Sequence, residues 1–281
     1  MSGPAPALAP AQGNNKLFTV ATFNVGAKNP ESFLNKKGVP HAGFHSHFKS
    51  MCEELFAKAD VVCMQEMSDF WVEQGALCAP DRWEHEVDNV TRCVTFWKPL
   101  LQRRATGFFK VFPDTTSKYK DWRRAMYVVL QPAVSGESIV VVNNHTIRGQ
   151  GVRKIPGDAS AFCGAAAQSL ILQAMTLASA QGNYTWAVMG DFNYFMAPQF
   201  CTVVQNVPTP EHPDLGANAM LISGEHRDFV VSNGKQQEHV HRDLLKAWDK
   251  KHTAVFVHIS SCVSAEQPRF PGSRRGGVGV R

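Results

Sequence analysis

The sequence has no apolar run long enough to cross a membrane. Its longest runs, such as residues 139–142, are far shorter than the ~20 apolar residues that span a bilayer. It also lacks the high net charge and low hydrophobicity of a disordered chain, with a formal net charge of +5 and 44% hydrophobic residues. No glycine period and no sustained heptad are present, which excludes collagen-like and coiled-coil proteins. The 281 residues are therefore expected to form a soluble globular protein, and no shift in composition divides them into two domains.

The N-terminus lacks the features of a secretory signal. Residues 1–15 contain no basic residue and no long apolar core, so we expect a disordered lead-in segment. The seven cysteines are odd in number and show no metal-binding spacing, which favours reduced thiols in an intracellular protein, cytoplasmic or nuclear. Residues 263–281 form a glycine- and arginine-rich segment, expected to be a flexible tail that is either simply solvated, which we favour, or in weak contact with nucleic acid. The folded domain is thus expected to span residues 16–262 and to be a monomer.

Hydrophobic periodicity predicts eight strands and three helices. The strands are predicted from short β-branched and aromatic runs, and the helices from apolar residues at three- and four-residue spacing. The predicted strands are residues 17–25, 59–66, 92–98, 125–131, 138–145, 185–193, 227–234 and 252–259. The predicted helices are residues 44–59, residues 161–181 and a shorter one near 240–248. This order indicates an α/β sandwich of packed sheets with helices outside.

Several of the predicted strands end or begin in polar residues that suit catalysis. They carry Asn24, Glu66, His145, the segment 190–193 and His252. Because apolar strands hold the side chains at their ends rigidly, this pattern predicts one converging site.

These motifs, in this order, resemble the endonuclease/exonuclease/phosphatase superfamily, which has the DNase-I-like fold. The matching segments are TFNVG at Asn24, VVCMQEM at Glu66, VVVNNH at His145, MGDFN at Asp191 and Asn193, RDFVVS at Asp228 and KKHTAV at His252. The resemblance covers about residues 17–259. It implies a four-layer sandwich in which two packed, mostly antiparallel sheets are flanked by helices.

The resemblance also implies a divalent-metal-dependent phosphoester hydrolase, with a phosphodiesterase or nuclease favoured. Mg²⁺ prefers oxygen ligands, so Glu66 is the candidate anchor for Mg²⁺ or Mn²⁺, and Asn24 either adds a carbonyl ligand or holds Glu66. Asp191 is the candidate group that activates the attacking water, and Asn193 is a candidate donor to a phosphate oxygen. His145 and His252 would grip the phosphate or exchange protons with it, with Asp228 as the partner of His252.

Basic residues supply candidate contacts to the substrate. Residues 97–124 interleave basic and aromatic side chains, which suits either a nucleic-acid surface or an exposed loop whose aromatic rings pack inward. Arg124 is the candidate there to reach the phosphate, and Arg148 is the candidate in the glycine-rich loop 146–160.

The sequence departs from the family pattern at two points. Lys251 stands where the family has an aspartate, and an ammonium there would repel a metal ion. The stretch 91–93 offers no glutamate to orient His145, although secreted DNases have one. Two hypotheses follow: an active hydrolase of phosphate esters, nucleic acid among them, or a weakened or inactive relative that binds nucleic acid or a protein.

Overall fold

The computed structural model describes residues 16–26, 44–67, 72, 79–80, 83–111, 124–133, 137–146, 159–180, 185–193, 221–225, 227–233, 236–240 and 254–260. Within these ranges lie the helices α1 (Phe44–Lys58) and α2 (Ala159–Ala180). The first six strands are β1 (Lys16–Asn24), β2 (Val61–Gln65), β3 (Glu84–Asp88), β4 (Cys93–Trp97), β5 (Leu101–Lys110) and β6 (Arg124–Pro132). The other six are β7 (Ile139–His145), β8 (Thr185–Asp191), β9 (Leu221–Glu225), β10 (Asp228–Ser232), β11 (Gln236–Val240) and β12 (Val255–Ser260).

The strands form two six-stranded sheets of matching design. The first sheet has the order β11-β12-β1-β2-β4-β3, and the second has the order β5-β6-β7-β8-β10-β9. Each sheet contains one parallel pair, β1 with β2 and β7 with β8, and the remaining pairs are antiparallel. A parallel pair needs a crossover connection, and α1 and α2 lie in those two connections.

Three buried clusters define four layers. α1 packs Phe48, Met51 and Leu55 against the outer face of the first sheet, and α2 packs Leu170 and Ile171 against the outer face of the second. Between the sheets lies a third cluster of side chains from both. Fully burying one such aliphatic or aromatic side chain contributes roughly 1.5–3 kcal/mol, so the layers are held mainly by these faces. The predicted four-layer sandwich with mostly antiparallel sheets is confirmed.

The eight predicted strands are the inner strands of the two sheets. The four strands that the periodicity missed, β3, β5, β9 and β11, are the four sheet edges. An edge strand is partly open to solvent, so it need not carry an apolar run; β3 reads EHEVD and β11 reads QQEHV. The interpretation of residues 97–124 as a loop is wrong over β5, where Phe109 is buried and Phe108 is 46% exposed.

Some sequence-based predictions fall outside the described residues. These are the lead-in segment 1–15, most of the helix near 240–248 and the tail 263–281; within that helix range, residue 240 ends β11. In the part of the chain that the structure describes, no helix combines the length and apolar character needed to cross a bilayer.

Candidate active site

The site lies where the interior between the two sheets changes from apolar to polar. Parallel pairing brings the carboxyl ends of β1 and β2 together, with Asn24 opposite Gln65. In the second sheet, His145 lies opposite Asp191, and Asp191 lies opposite Asp228. The two strand-end clusters therefore meet across the sandwich.

Glu66, His145 and Asp191 form the centre of the site. His145 Nε2 lies 3.3 Å from Glu66 Oε1 and 4.0 Å from Asp191 Oδ2. One ligand atom from each of the three residues lies within 4.8 Å of the other two. The side chains of Glu66 and His145 remain 21% and 14% exposed, whereas Asp191 is buried. One side of this group is therefore open to solvent, and the other side is formed by the buried Asp191.

Asn24 joins the two carboxylates. Its Nδ2 donates to Asp191 Oδ2 at 2.8 Å and lies 3.5 Å from Glu66 Oε1. Its Oδ1 accepts the backbone N–H of Gly26 at 2.8 Å, so that oxygen is turned away from the carboxylates. Of the two roles that the sequence left open for Asn24, this geometry favours holding Glu66 over supplying a carbonyl ligand.

Unusual backbone angles set the direction in which the side chains of the site project. Glu66 (φ 56°) and Asn193 (φ 51°) adopt the left-handed region directly after β2 and near the end of β8. Gly190 has φ 135°, and a Cβ there would lie 1.9 Å from the carbonyl oxygen of Asn144. Only glycine fits that position, because the backbones of β7 and β8 approach so closely.

The motif around Asp191 is locked by local hydrogen bonds. Asp191 Oδ1 accepts the backbone N–H of Asn193 at 2.7 Å, while its Oδ2 accepts from Asn24. The Asn193 side-chain amide donates to the carbonyl oxygen of Thr146. Both oxygens of the Asp191 carboxylate are thus fixed in direction by donors from two different sheets.

His145 has a carboxylate neighbour even though none is found at 91–93. Glu66 itself lies within contact distance of the imidazole. The sequence could not reveal this contact, because the two residues belong to different sheets and are 79 positions apart.

Arg124 makes a bidentate contact with a buried aspartate that the sequence analysis missed. Its Nε and Nη2 donate to the two oxygens of Asp88 at 3.0 and 2.5 Å, and its guanidinium lies 4.2 Å from the centre of the Phe108 ring. Asp88 also accepts from Thr91 Oγ1 and from the Val90 N–H. Burial tends to raise the pKa of Asp88, but the hydrogen bonds from Arg124, Thr91 and Val90 and the positive charge of Arg124 outweigh it and hold the pKa below its ordinary value. Asp88 accepts the backbone N–H two residues on, as aspartates in turns commonly do, and an aspartate at a turn is the signal by which the sequence could have indicated it.

Arg124 begins β6, the strand next to β7 in the second sheet. The pairing of the two strands ends at Met126 opposite Asn143, two residues before Arg124 is reached on β6 and His145 on β7. The role of Arg124 as a substrate contact stays a prediction. Asp228 is buried on β10, while its predicted partner His252, together with Arg148 and Lys251, lies outside the described residues.

The donor set fits a hard divalent cation. Two carboxylates and an imidazole face one small space, and the like charges of Glu66 and Asp191 repel each other there. A cation between them relieves that repulsion, and carboxylate oxygens are the donors that Mg²⁺ and Mn²⁺ prefer. Glu66 and Asp191 are the residues that would hold it, with His145 alongside.

Comparison with known proteins supports the fold. No protein-family profile and no curated protein matches the sequence, but solved structures match the architecture. One is an endonuclease/exonuclease/phosphatase from Bacteroides vulgatus, with TM-score 0.58 and 14% identity over 86% of this chain and 99% of that chain. Another is truncated Caenorhabditis elegans TDP2, with TM-score 0.56 and 11% identity over 87% of this chain and 98% of that one. A third is ANGEL2, described as a 2′,3′-cyclic phosphatase in complex with adenosine-2′,3′-vanadate, with TM-score 0.57 and 14% identity over 88% and 97%.

At identities this low the likeness concerns the fold. The chain shares the fold of these structures, one of which is described as an endonuclease/exonuclease/phosphatase, and the DNase-I-like fold expected from the sequence motifs is confirmed.

Proposed function

We propose that this protein is a divalent-metal-dependent phosphoester hydrolase. The observation that carries the proposal is the meeting of Glu66 from one sheet with His145 and Asp191 from the other, their candidate ligand atoms all within 4.8 Å of one another. Residues 66, 145 and 191 are far apart in the chain, so their convergence at one partly open position is a property of the tertiary structure. A buried, purely structural polar cluster would not need an exposed side.

The metal site is assigned to Glu66 and Asp191. When bound, Mg²⁺ or Mn²⁺ would neutralise the anionic phosphate oxygens and polarise the phosphorus atom. Asn24 fixes both carboxylates by donating toward each, so the site is held in place before the cation arrives. Such outer contacts typically change metal affinity 10- to 100-fold when they are lost.

The proton chemistry is assigned to His145 and Asp191. A histidine exchanges protons near neutral pH, and part of the His145 side chain is exposed, which leaves it accessible to a phosphate. Asp191 is positioned to accept a hydrogen bond from the attacking water, because Asn24 and the Asn193 backbone fix the direction of its two oxygens. The Asn193 amide has a second hydrogen besides the one given to Thr146, and we assign it to a phosphate oxygen.

Phosphate esters of nucleotides are the substrate class to test first. ANGEL2, which shares the fold, is a 2′,3′-cyclic phosphatase, and this supports including a cyclic nucleotide among the substrates. Arg124, at the start of the strand next to β7, supports an anionic substrate that extends toward β6. A suitable panel is bis(p-nitrophenyl) phosphate, 2′,3′-cyclic AMP, single-stranded RNA and supercoiled plasmid DNA.

The experiment compares turnover of this panel with Mg²⁺, Mn²⁺ or EDTA, in the wild type and in Glu66→Gln. We expect activity only with metal, and a loss of at least ~100-fold in Glu66→Gln, since the substitution removes the charged anchor without changing its size. Glu86→Gln is the matched control, because Glu86 is a glutamate on edge strand β3 that pairs with Arg103. Turnover that survives both EDTA and Glu66→Gln would contradict the proposal.

A second variant addresses the departure from the family pattern. Lys251→Asp restores the acidic residue of the family motif, and a gain in rate would show that the lysine weakens the site. Binding of a substrate without turnover under either metal, in both the wild type and Lys251→Asp, would instead favour a binding relative that lacks activity.

A further inference from the structure

Two fully buried amides face each other beneath the candidate site. Gln65 is the last residue of β2 in the first sheet, and Asn143 lies on β7 in the second. Neither is exposed to solvent. Gln65 Nε2 donates to Asn143 Oδ1 at 2.8 Å, which joins the two sheets directly. We refer to this pair as the amide clamp.

The clamp is tied to the backbone of the first sheet. Asn143 Nδ2 donates across the interface to the carbonyl oxygens of Val94 at 2.9 Å and Met64 at 3.3 Å. Its nitrogen also lies 3.2 Å from Thr95 Oγ1. One side chain of β7 therefore reaches both β2 and β4, so sliding the second sheet along the first would break several bonds together.

Gln65 is fixed in the same way from its own side. Its Nε2 lies 3.0 Å from Thr22 Oγ1 on β1 and 3.2 Å from the carbonyl oxygen of Cys63. The amide is therefore surrounded by acceptors of the first sheet while it donates to the second. Gln65 Oε1 is buried and has no hydrogen-bond partner among the described residues, so the contacts that orient this side chain are those of Nε2. Hydrogen bonds in such a buried setting are strong and directional.

Hydrogen bonds from Asn24 to Asp191 and from Arg124 to Asp88 also join the two sheets, whereas the apolar part of the inter-sheet layer does not fix a position so narrowly. It consists largely of apolar side chains such as Val20, Val141 and Met189. Apolar burial is strong but non-directional, so it holds sheets together without setting their offset to a fraction of an ångström. Hydrogen bonds weaken steeply as their distance and angle depart from the optimum, so they do fix the offset between the two sheets.

We propose that Gln65 and Asn143 are positioning residues that set the separation between Glu66 and His145. Gln65 directly precedes Glu66, and Asn143 lies two residues before His145 on the same face of β7. The clamp therefore holds the two strand ends from which the opposing site residues project. This inference rests on the proposed function insofar as it concerns metal affinity, but the separation itself can be measured in the metal-free protein.

The test removes both amides at once. In Gln65→Met/Asn143→Leu both amides are replaced together by apolar side chains of similar size, so neither amide is left facing a lost partner. The carbonyl oxygens of Cys63, Met64 and Val94 lose a donor, so some loss of stability is expected. Val141→Ala is the matched control, since Val141 lies on the same face of β7 two residues before Asn143 and packs in the apolar layer. It disturbs the interface by leaving a cavity and touches neither amide.

Two measurements distinguish a positioning role from a general contribution to the stability of the fold. The first is the Kd for Mn²⁺, measured by calorimetry or by the loss of the free-ion paramagnetic signal. We expect it to rise about 10- to 100-fold in the double variant and to stay within twofold in Val141→Ala, even where Val141→Ala has the lower Tm. The second is the crystal structure of each metal-free protein, in which the Glu66 Oε1 to His145 Nε2 separation of 3.3 Å should lengthen only in the double variant.

The outcomes separate the two proposals. A folded double variant with an unchanged separation and an unchanged Kd for Mn²⁺ overturns the positioning role. If the wild type binds no Mn²⁺, the proposed function fails, and the separation alone then decides the role of the clamp. If the double variant does not fold, the exchanged pair Gln65→Asn/Asn143→Gln takes its place, since it keeps both amides and their summed volume but moves the point where they meet. An unaltered separation in that pair refutes the role, and an altered one supports it.

Discussion

Replacing Asp88 by asparagine should lower the free energy of unfolding by about 2–3 kcal/mol. The substitution hardly changes the shape of the side chain, but it removes the negative charge. Asp88 is completely buried as a side chain and accepts four hydrogen bonds, two from Arg124, one from Thr91 and one from the Val90 backbone. Asparagine keeps one acceptor oxygen and points an N–H₂ group at a guanidinium, so at least one bond and the charge attraction are lost.

The magnitude follows from the unequal burial of the pair. Removing one partner of a fully buried ion pair costs about 3–5 kcal/mol, because the other charge is left without compensation. Here a third of the Arg124 side chain is exposed, so the guanidinium regains water, which brings the estimate down to about 2–3 kcal/mol. The control is Glu86→Gln, two residues earlier on β3, where the pair with Arg103 is 25% and 45% exposed and the expected loss is below about 1 kcal/mol.

The assay is urea unfolding of the three proteins as a function of pH. The pKa of Asp88 is held below its ordinary value of 3.8, so its charge stabilises the fold fully above that pH and loses its effect as the pH falls through the lowered value. The gap between the wild type and Asp88→Asn should therefore be constant from neutral pH to about pH 5 and should shrink below about pH 4. Equal losses in the two variants, or a gap that persists undiminished to pH 2, would refute the reasoning.

Two further outcomes are expected. Gly190→Ala should lower the free energy of unfolding by more than about 3 kcal/mol or prevent folding, because the new Cβ would overlap the backbone of Asn144. Gly107→Ala should lower it by only about 1 kcal/mol, because the atoms that its Cβ meets belong to the Tyr127 side chain, which can turn away. Thermal unfolding of the two variants tests this difference. A thiol reagent should not modify Cys63 or Cys93 until urea unfolds the chain, since burial raises the pKa of Cys63 to about 12 and also raises that of Cys93; time-resolved labelling with mass spectrometry checks this.

The inner strands were predictable because a strand that is buried on both faces carries apolar residues at successive positions. Runs such as VVCM on β2 and IVVV on β7 are apolar at every position, whereas edge strand β3 needs no such run. The same physics explains why the residue pattern of β5 does not predict a strand, since only one face of it is covered.

The candidate site was likewise predictable in one part and not in another. The residue types at strand ends pointed to Asn24, Glu66, His145 and Asp191, and the structure gathers these four side chains. The sequence could not show that Asn24 turns its nitrogen toward the carboxylates, because the orientation of an amide depends on neighbours from the other sheet. Nor could it show that Arg124 is held by Asp88, 36 residues away.

The sequence by itself determined which segments become inner strands and helices and which polar residues terminate them, because periodicity and strand-end chemistry are local properties of the chain. Only the tertiary structure decided how far apart Glu66 and His145 lie, which aspartate holds Arg124 and where Gln65 meets Asn143. These are contacts between two different sheets, and their distances depend on how the sheets pack, which no spacing within one segment encodes.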